Sequence, residues 1–101
     1  MNKILALFIF CVSCSPMWLY AANTTQGKLL YDQNCSICHG AQGISTMSSA
    51  PNFKRGEALS QSDFTLLKHI NSGKNACPAF IGILQQQQVF DVIAYLRTLY
   101  R

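Results

Sequence analysis

Charged residues are scarce in this 101-residue chain, and acidic residues are the scarcest. Asp, Glu, Lys and Arg together make up 12% of the chain, with 4 acidic side chains against 8 basic ones. The resulting net charge of +4 is not concentrated anywhere, since Lys54-Arg55 is the only adjacent basic pair. Proteins that bind nucleic acid usually present a clustered basic patch. The charge pattern therefore argues against a nucleic-acid partner.

The chain also lacks the alternation of apolar and polar residues that predicts strands, and it has no internal repeat. Helical patterns occur in three places instead. We expect helices from residue 24 or 25 to 34, from 62 to 72, and from 86 to 100. The run of four glutamines at 85–88 is expected to form the polar first turn of the third helix. The sequence thus predicts an all-α domain with long loops.

Apolar residues at helical spacing define the expected buried faces of two helices. In the second helix these residues are Phe64, Leu67 and Ile70. In the third they are Val89, Val92, Ile93, Leu96 and either Leu99 or Tyr100. Asp91 and Arg97 are expected to lie off that face. Gly27, inside the first helix, indicates either fraying or the close approach of another backbone.

The first residues are typical of a secretory signal peptide. Lys3 provides a positive start, residues 4–12 are an unbroken apolar run, and Ala21-Ala22 supplies small residues for cleavage. We therefore expect a signal peptide at 1–22, a mature domain at 23–101, and a periplasmic location.

Two alternatives to cleavage at this point stay open. Residues 4–22 are long enough to remain as a membrane anchor, since roughly 20 apolar residues cross a bilayer, although Pro16 interrupts them. A lipoprotein cut before Cys14 is the other, although Cys11 replaces the leucine usual at such sites. In either case the domain is anchored to the membrane and faces the periplasm. Otherwise contact with a membrane is expected to be only transient.

The cysteines do not fit a disulfide framework. Of the five, Cys11 and Cys14 leave with a cleaved signal, and the remaining three, Cys35, Cys38 and Cys77, cannot pair evenly. A domain this small needs some other internal support, such as a metal or a large cofactor.

The stretch from Cys35 to His39 reads C-x-x-C-H, which is the attachment signature of a c-type haem. Two thiols one helical turn apart can add to the two vinyl groups of one porphyrin, and the next imidazole then reaches the iron. A zinc site would need a further ligand pair, and only His69 and Cys77 remain. A C-x-x-C redox pair usually lies beside a strand, which this chain is not expected to have. We therefore expect one covalent haem c with its iron.

With this motif in place, the mature chain resembles the small monohaem class I cytochromes c. The matching segments are "GKLLYDQNCSICHG", "APNF" and "DVIAYLRTLY". The resemblance implies a cytochrome c-like fold, with three main helices packed around one covalently bound haem. It also implies that Gly27 and Tyr31 cross the last helix at Tyr95 and Leu96, and that the carbonyl of Pro51 accepts the Nδ1 hydrogen of the haem-binding histidine.

The chain departs from the family at the second axial ligand of the iron. Where the family usually has methionine before Pro-Ala-Phe, the segment "GKNACPAF" has Cys77. The resemblance implies Cys77 as the ligand, and a thiolate there implies a lower reduction potential than methionine. Met47 and an open or water-bound position are the alternatives, whereas His69 is expected at the surface.

Beyond the haem motif, no acid-base pair or nucleophile constellation is visible, so we expect an electron carrier rather than an enzyme. Its partners would be a periplasmic dehydrogenase or a membrane-bound oxidase or reductase. The residues expected to form a basic docking rim are Lys28, Lys54, Lys68 and Lys74. A haem-based redox or gas sensor, or a small haem enzyme with a displaceable Cys77, is the alternative. A non-haem thiol or zinc protein is the third reading.

Overall fold

The structure, a computed structural model, describes residues 21–101. It contains four α-helices, α1 (Thr24–Asn34), α2 (Ser36–His39), α3 (Asp63–Ser72) and α4 (Gln86–Leu99), and one 3₁₀ turn at Phe53–Arg55. Residues 21–101 form no strand, only isolated bridges between Lys74 and Cys77 and between Ile81 and Leu84. The prediction of an all-α fold is confirmed, and the three main helices lie within one or two residues of the expected bounds.

The predicted signal peptide, like the alternative anchor and the alternative lipidation at Cys14, falls almost wholly outside the described residues. Within the described range, none of the helices combines the length and the apolar character needed to cross a bilayer.

Local hydrogen bonds explain where the two later helices begin. The hydroxyl of Ser62 accepts the N–H of Thr65 at 3.2 Å, which satisfies a backbone donor in the first turn of α3. At α4, the N–H of Gln85 donates to Gln88 Oε1 at 2.8 Å in a capping box. The glutamine run therefore forms the first turn of α4, as predicted.

The main core lies where α1 crosses α4. A Cβ built on Gly27 would lie 1.9 Å from the carbonyl oxygen of Asp91, so only glycine permits this approach. One turn later the ring of Tyr31, which is fully buried, meets that of Tyr95 edge to face at 5.2 Å. The buried residues of this cluster are Leu30, Tyr31, Phe53, Val92 and Leu96. The expected crossing of Gly27 and Tyr31 with Tyr95 and Leu96 is therefore present.

Gly27→Ala is expected to destabilise the protein. Overpacking a close contact costs about 1–3 kcal/mol, and the higher helix propensity of alanine returns at most about 1 kcal/mol. We expect a net loss of about 1–2 kcal/mol in the free energy of unfolding. Guanidinium titration followed by far-UV circular dichroism measures it, with Gln33→Ala on the exposed face of α1 as the control. A Gly27→Ala protein as stable as the wild type would show that the crossing is not this close.

The buried face of α3 differs from the prediction. Leu66 and Leu67 are buried and Ile70 packs against them, whereas Phe64 is 75% exposed. The prediction was wrong for Phe64. One side of α3 packs on α4, and another side, which carries Leu66, lines a cleft, so that the side with Phe64 faces solvent. Spacing alone does not distinguish between two adjacent faces of so short a helix.

Asp91 also differs from the prediction, since it is 6% exposed rather than off the buried side of α4. Its Oδ1 accepts the backbone N–H of Asn23 at 2.8 Å and the side-chain amide of Gln87 at 3.0 Å. These bonds compensate the burial of a polar group beside the Gly27 contact.

Arg97 ties the end of α4 to the segment that precedes α3. Its guanidinium donates to Asp63 Oδ1 at 2.6 Å and to the carbonyls of Leu59 and Gln61 at 2.8 and 3.0 Å. Because Gln61 lines the cleft described below, this clamp helps to fix one of its edges.

Candidate functional site

A cleft of about 240 Å³ lies between the end of α1, α2, α3 and the loop after α3. All five residues predicted for the site line it: Cys35, Cys38, His39, Pro51 and Cys77. Much of the remaining wall is apolar and comes from Phe53, Leu66, Ile70, Phe80 and Leu96. The fold thus brings together residues that are up to 42 positions apart in the printed sequence (35 to 77).

The short helix α2 presents the two thiols and the imidazole. The N–H of Cys35 donates to the carbonyl of Tyr31 at 2.8 Å and ends α1, and the N–H of His39 donates to the carbonyl of Cys35 at 3.0 Å. Gly40 then ends α2 with a φ of 83°, in the region that favours glycine. Its carbonyl accepts the buried hydroxyl of Tyr31 at 2.6 Å, which ties the motif to the main core.

The imidazole of His39 is held by two groups. Its Nδ1 lies 3.1 Å from the carbonyl oxygen of Pro51. Because a carbonyl only accepts hydrogen bonds, Nδ1 carries the hydrogen, and Nε2 is the nitrogen that would bind a metal. The ring of Phe53 stacks on the imidazole at 4.5 Å with 22° between the planes. The orientation of the ring is therefore set before any metal binds.

The three cysteines line the same cleft, each is partly buried, and none of them forms a disulfide. Burial, and then the neighbouring sulfurs of Cys77 and Cys38, raise the pKa of the Cys35 thiol to about 12. Burial also raises the pKa of Cys77, with a smaller contribution from Cys38, while the backbone N–H of Lys74 lowers it. Burial thus favours the neutral thiol at Cys35 and Cys77. A thiolate at Cys77 would need the positive charge of a bound metal ion to offset this cost.

Backbone hydrogen bonds hold Cys77 on the cleft wall. Lys74 and Cys77 exchange N–H···O bonds of 3.2 and 2.9 Å across a tight turn in which Asn75 has a φ of 55°. Beyond this turn the N–H of Phe80 donates to the carbonyl of Ile70 at 3.0 Å, which joins the loop to α3. The backbone at Cys77 is therefore positioned by its own turn and by the attachment of the loop to α3.

This donor set fits a covalently attached haem. Two unpaired thiols lie on one helical turn, an oriented imidazole follows them, and apolar side chains surround all three. A porphyrin needs such an apolar cleft, because most of its surface is hydrophobic. Among residues 21–101, no three His, Cys, Asp or Glu side chains are grouped so that they would hold a bare metal ion.

The comparison with known families agrees with this chemistry. A family model described as "Cytochrome C oxidase, cbb3-type, subunit III" matches residues 22–96. The chain belongs to the cytochrome c family. Cytochrome c6 of Thermostichus vulcanus is 36% identical over 96 residues, covering 91% of this chain and 82% of that protein. Cytochrome c6 of Nostoc sp. is 30% identical over 95 residues, with the same coverage of each chain.

Solved structures give the same result for the fold. The c-type cytochrome KustC0563 superposes with a TM-score of 0.66 at 27% identity, covering 74% of this chain and 98% of its own. Cytochrome c6 from the diatom Phaeodactylum tricornutum gives 0.64 at 27% identity, covering 75% and 92%. The chain is therefore a monohaem class I cytochrome c that carries one covalent haem c and transfers electrons. The relatives are electron carriers rather than enzymes, and none of them supports the sensor or haem-enzyme alternative.

The structure adds residues to the cleft that the sequence did not indicate. Phe53, which stacks on His39, was not singled out, although its place two residues after Pro51 in the "APNF" segment was a possible signal. His69 was expected at the surface, but it is half-buried and lines the cleft. Met47, the alternative ligand, also lines it and is 38% exposed.

Proposed function

We propose that this cytochrome is an exported carrier of single electrons in which Cys35 and Cys38 form the thioether bonds and His39 and Cys77 are the axial ligands. The observation that carries the proposal is the shared cleft, which collects all four residues around an imidazole already oriented by Pro51. When bound, the haem supplies a reversible one-electron couple.

The protein's own contribution is rigidity and the exclusion of water. Pro51 and Phe53 hold His39 in one orientation, and the bond from Tyr31 to Gly40 anchors the turn that carries it. The side chains of Leu66, Phe80 and Leu96 remove water from the cleft. A site that moves little on oxidation and reduction transfers electrons without a large rearrangement.

The cleft side chains that can act as a second axial ligand include Cys77, Met47 and His69. We assign Cys77, because its turn is closed by paired backbone bonds and it occupies the position of the family's methionine. A thiolate is a strong ligand for ferric iron and stabilises that state over the ferrous one. The assignment predicts a low reduction potential.

The redox partner is proposed to have an acidic surface, as a periplasmic dehydrogenase or a membrane-bound oxidase or reductase. Lys74 lines the cleft and is exposed, and Lys54 and Lys68 lie on neighbouring elements. Lys28 is expected to contribute less to this rim, because its Nζ forms an ion pair with Asp32 at 2.6 Å and its charge is partly neutralised. The association rate should therefore fall as salt rises.

The electron-carrier function and a sensor function differ in two measurements on the haem-loaded protein. For an electron carrier, we expect a reversible potentiometric titration with one electron per haem. We also expect the reduced protein to bind carbon monoxide slowly. Carbon monoxide binding as fast as in a five-coordinate haem protein, with a strongly hysteretic titration, would instead indicate a sensor with a displaceable ligand.

A further inference from the structure

Asp91 is the single charged side chain that is buried among residues 21–101. Its carboxylate contacts two neutral donors, the N–H of Asn23 and the amide of Gln87. Both ion pairs in this part of the chain involve other residues, Lys28 with Asp32 and Arg97 with Asp63. A buried carboxylate with only neutral partners is unfavourable, and a nearby positive charge removes most of that cost.

The backbone nitrogen of Asn23 can supply such a charge. It lies 2.8 Å from Asp91 Oδ1. The side chain of Asn23 has a different task, because its Oδ1 accepts the N–H of Gln26 at 3.1 Å and caps α1. Ala21 and Ala22, which precede this nitrogen, are exposed and lie outside any helix.

We infer that export processing cuts the chain between Ala22 and Asn23 and that the new α-ammonium group of Asn23 pairs with Asp91. The step rests on the export proposed above and is a hydrolysis by a signal peptidase. Water adds across the Ala22–Asn23 peptide bond, the carboxylate leaves with the signal peptide, and the amine stays on Asn23, where it takes up a proton. The neutral N–H of the precursor becomes a cation at the same atom.

The pair lies where α1 and α4 are in closest contact, since Gly27 faces the backbone of Asp91. Cleavage therefore adds a charge-assisted hydrogen bond beside the close contact of α1 with α4. The position of the cut matters, because one extra residue moves the charge by about 3.8 Å, the spacing of consecutive Cα atoms. The nitrogen of Asn23 would then again be a neutral amide.

The first test is the intact mass and N-terminal sequence of the haem protein exported with its own first 22 residues. We expect the mature chain to begin at Asn23. A cut after Ala21 or before Cys14 would overturn this inference and leave the export proposal standing. An uncut chain exposed to the periplasm would also overturn this inference alone, whereas a chain that stays in the cytoplasm without covalent haem would overturn the export proposal.

The second test measures the pairing itself in exported, haem-loaded protein. Two mature chains are compared, one beginning at Asn23 and one carrying a single extra alanine before it, each placed after a foreign signal peptide. Because hydrogen bonds to charged groups contribute more than neutral ones, we expect the extra alanine to lower the folding equilibrium constant about tenfold. In the Asp91→Asn background we expect a change of less than about twofold.

Asp32→Asn is the matched control, because Asp32 is an exposed acid that pairs with Lys28. The tenfold effect of the extra alanine should persist in this variant. Equal effects of the extra alanine in the Asp91 and Asp91→Asn backgrounds would overturn the pairing, whatever the overall stability of the variants.

Discussion

Cys77→Met is expected to raise the reduction potential of the haem by a few hundred millivolts, since axial ligands set potentials over a range of about 0.8 V. A thiolate carries a negative charge that stabilises ferric iron, and a thioether carries none. Methionine reaches the same cleft from the same loop, whose backbone bonds between Lys74 and Cys77 do not involve the side chain. A potentiometric titration of both proteins measures the change.

Met47→Leu is the matched control for this prediction, because Met47 lines the same cleft and has the chemistry of a ligand. We expect Met47→Leu to leave the potential almost unchanged. If Met47 were the ligand, the pattern would be inverted, with Met47→Leu shifting the potential and Cys77→Met having little effect.

The double variant Cys35→Ser, Cys38→Ser is expected to lose covalent haem completely. Serine cannot form the thioether bonds, and the remaining ligands bind haem only reversibly. Acidified acetone should extract haem from the double variant and leave it on the wild-type polypeptide. Each single variant should retain one thioether bond and resist extraction.

Cys77→Ser is the control for that experiment, since it removes a sulfur of the same cleft that we do not assign to attachment. Its haem should stay on the polypeptide. Wild-type haem that is fully extractable would contradict the assignment of Cys35 and Cys38, and so would a double variant that keeps its haem.

The features that were predicted well from the sequence are those determined by residues close together along the chain. The haem motif is compact. The spacing of Cys35, Cys38 and His39 therefore predicts one helical turn without any knowledge of the rest of the fold. The same is true of α4, whose apolar residues repeat over 14 residues and whose glutamine cap is local. The contact of Pro51 with His39 was predicted from the family resemblance. In the structure the carbonyl oxygen of Pro51 lies 3.1 Å from His39 Nδ1.

The features that sequence did not predict depend on partners far along the chain. Asp91 is polar and reads as solvent-facing, but its partner Asn23 lies 68 positions away. Phe64 and Leu66 sit on adjacent faces of α3, and only the cleft decides that Leu66 is buried and Phe64 is not. Phe53 stacks on His39 through a loop whose path no periodic pattern describes.

The central claim is that His39 and Cys77 bind the same iron, and low-temperature electron paramagnetic resonance of the ferric protein tests it most directly. We expect the wild type to be low-spin, with the narrow spread of g values typical of thiolate ligation. We expect Cys77→Ser to lose that signal and become largely high-spin. A wild-type spectrum that Cys77→Ser leaves unchanged would contradict the claim.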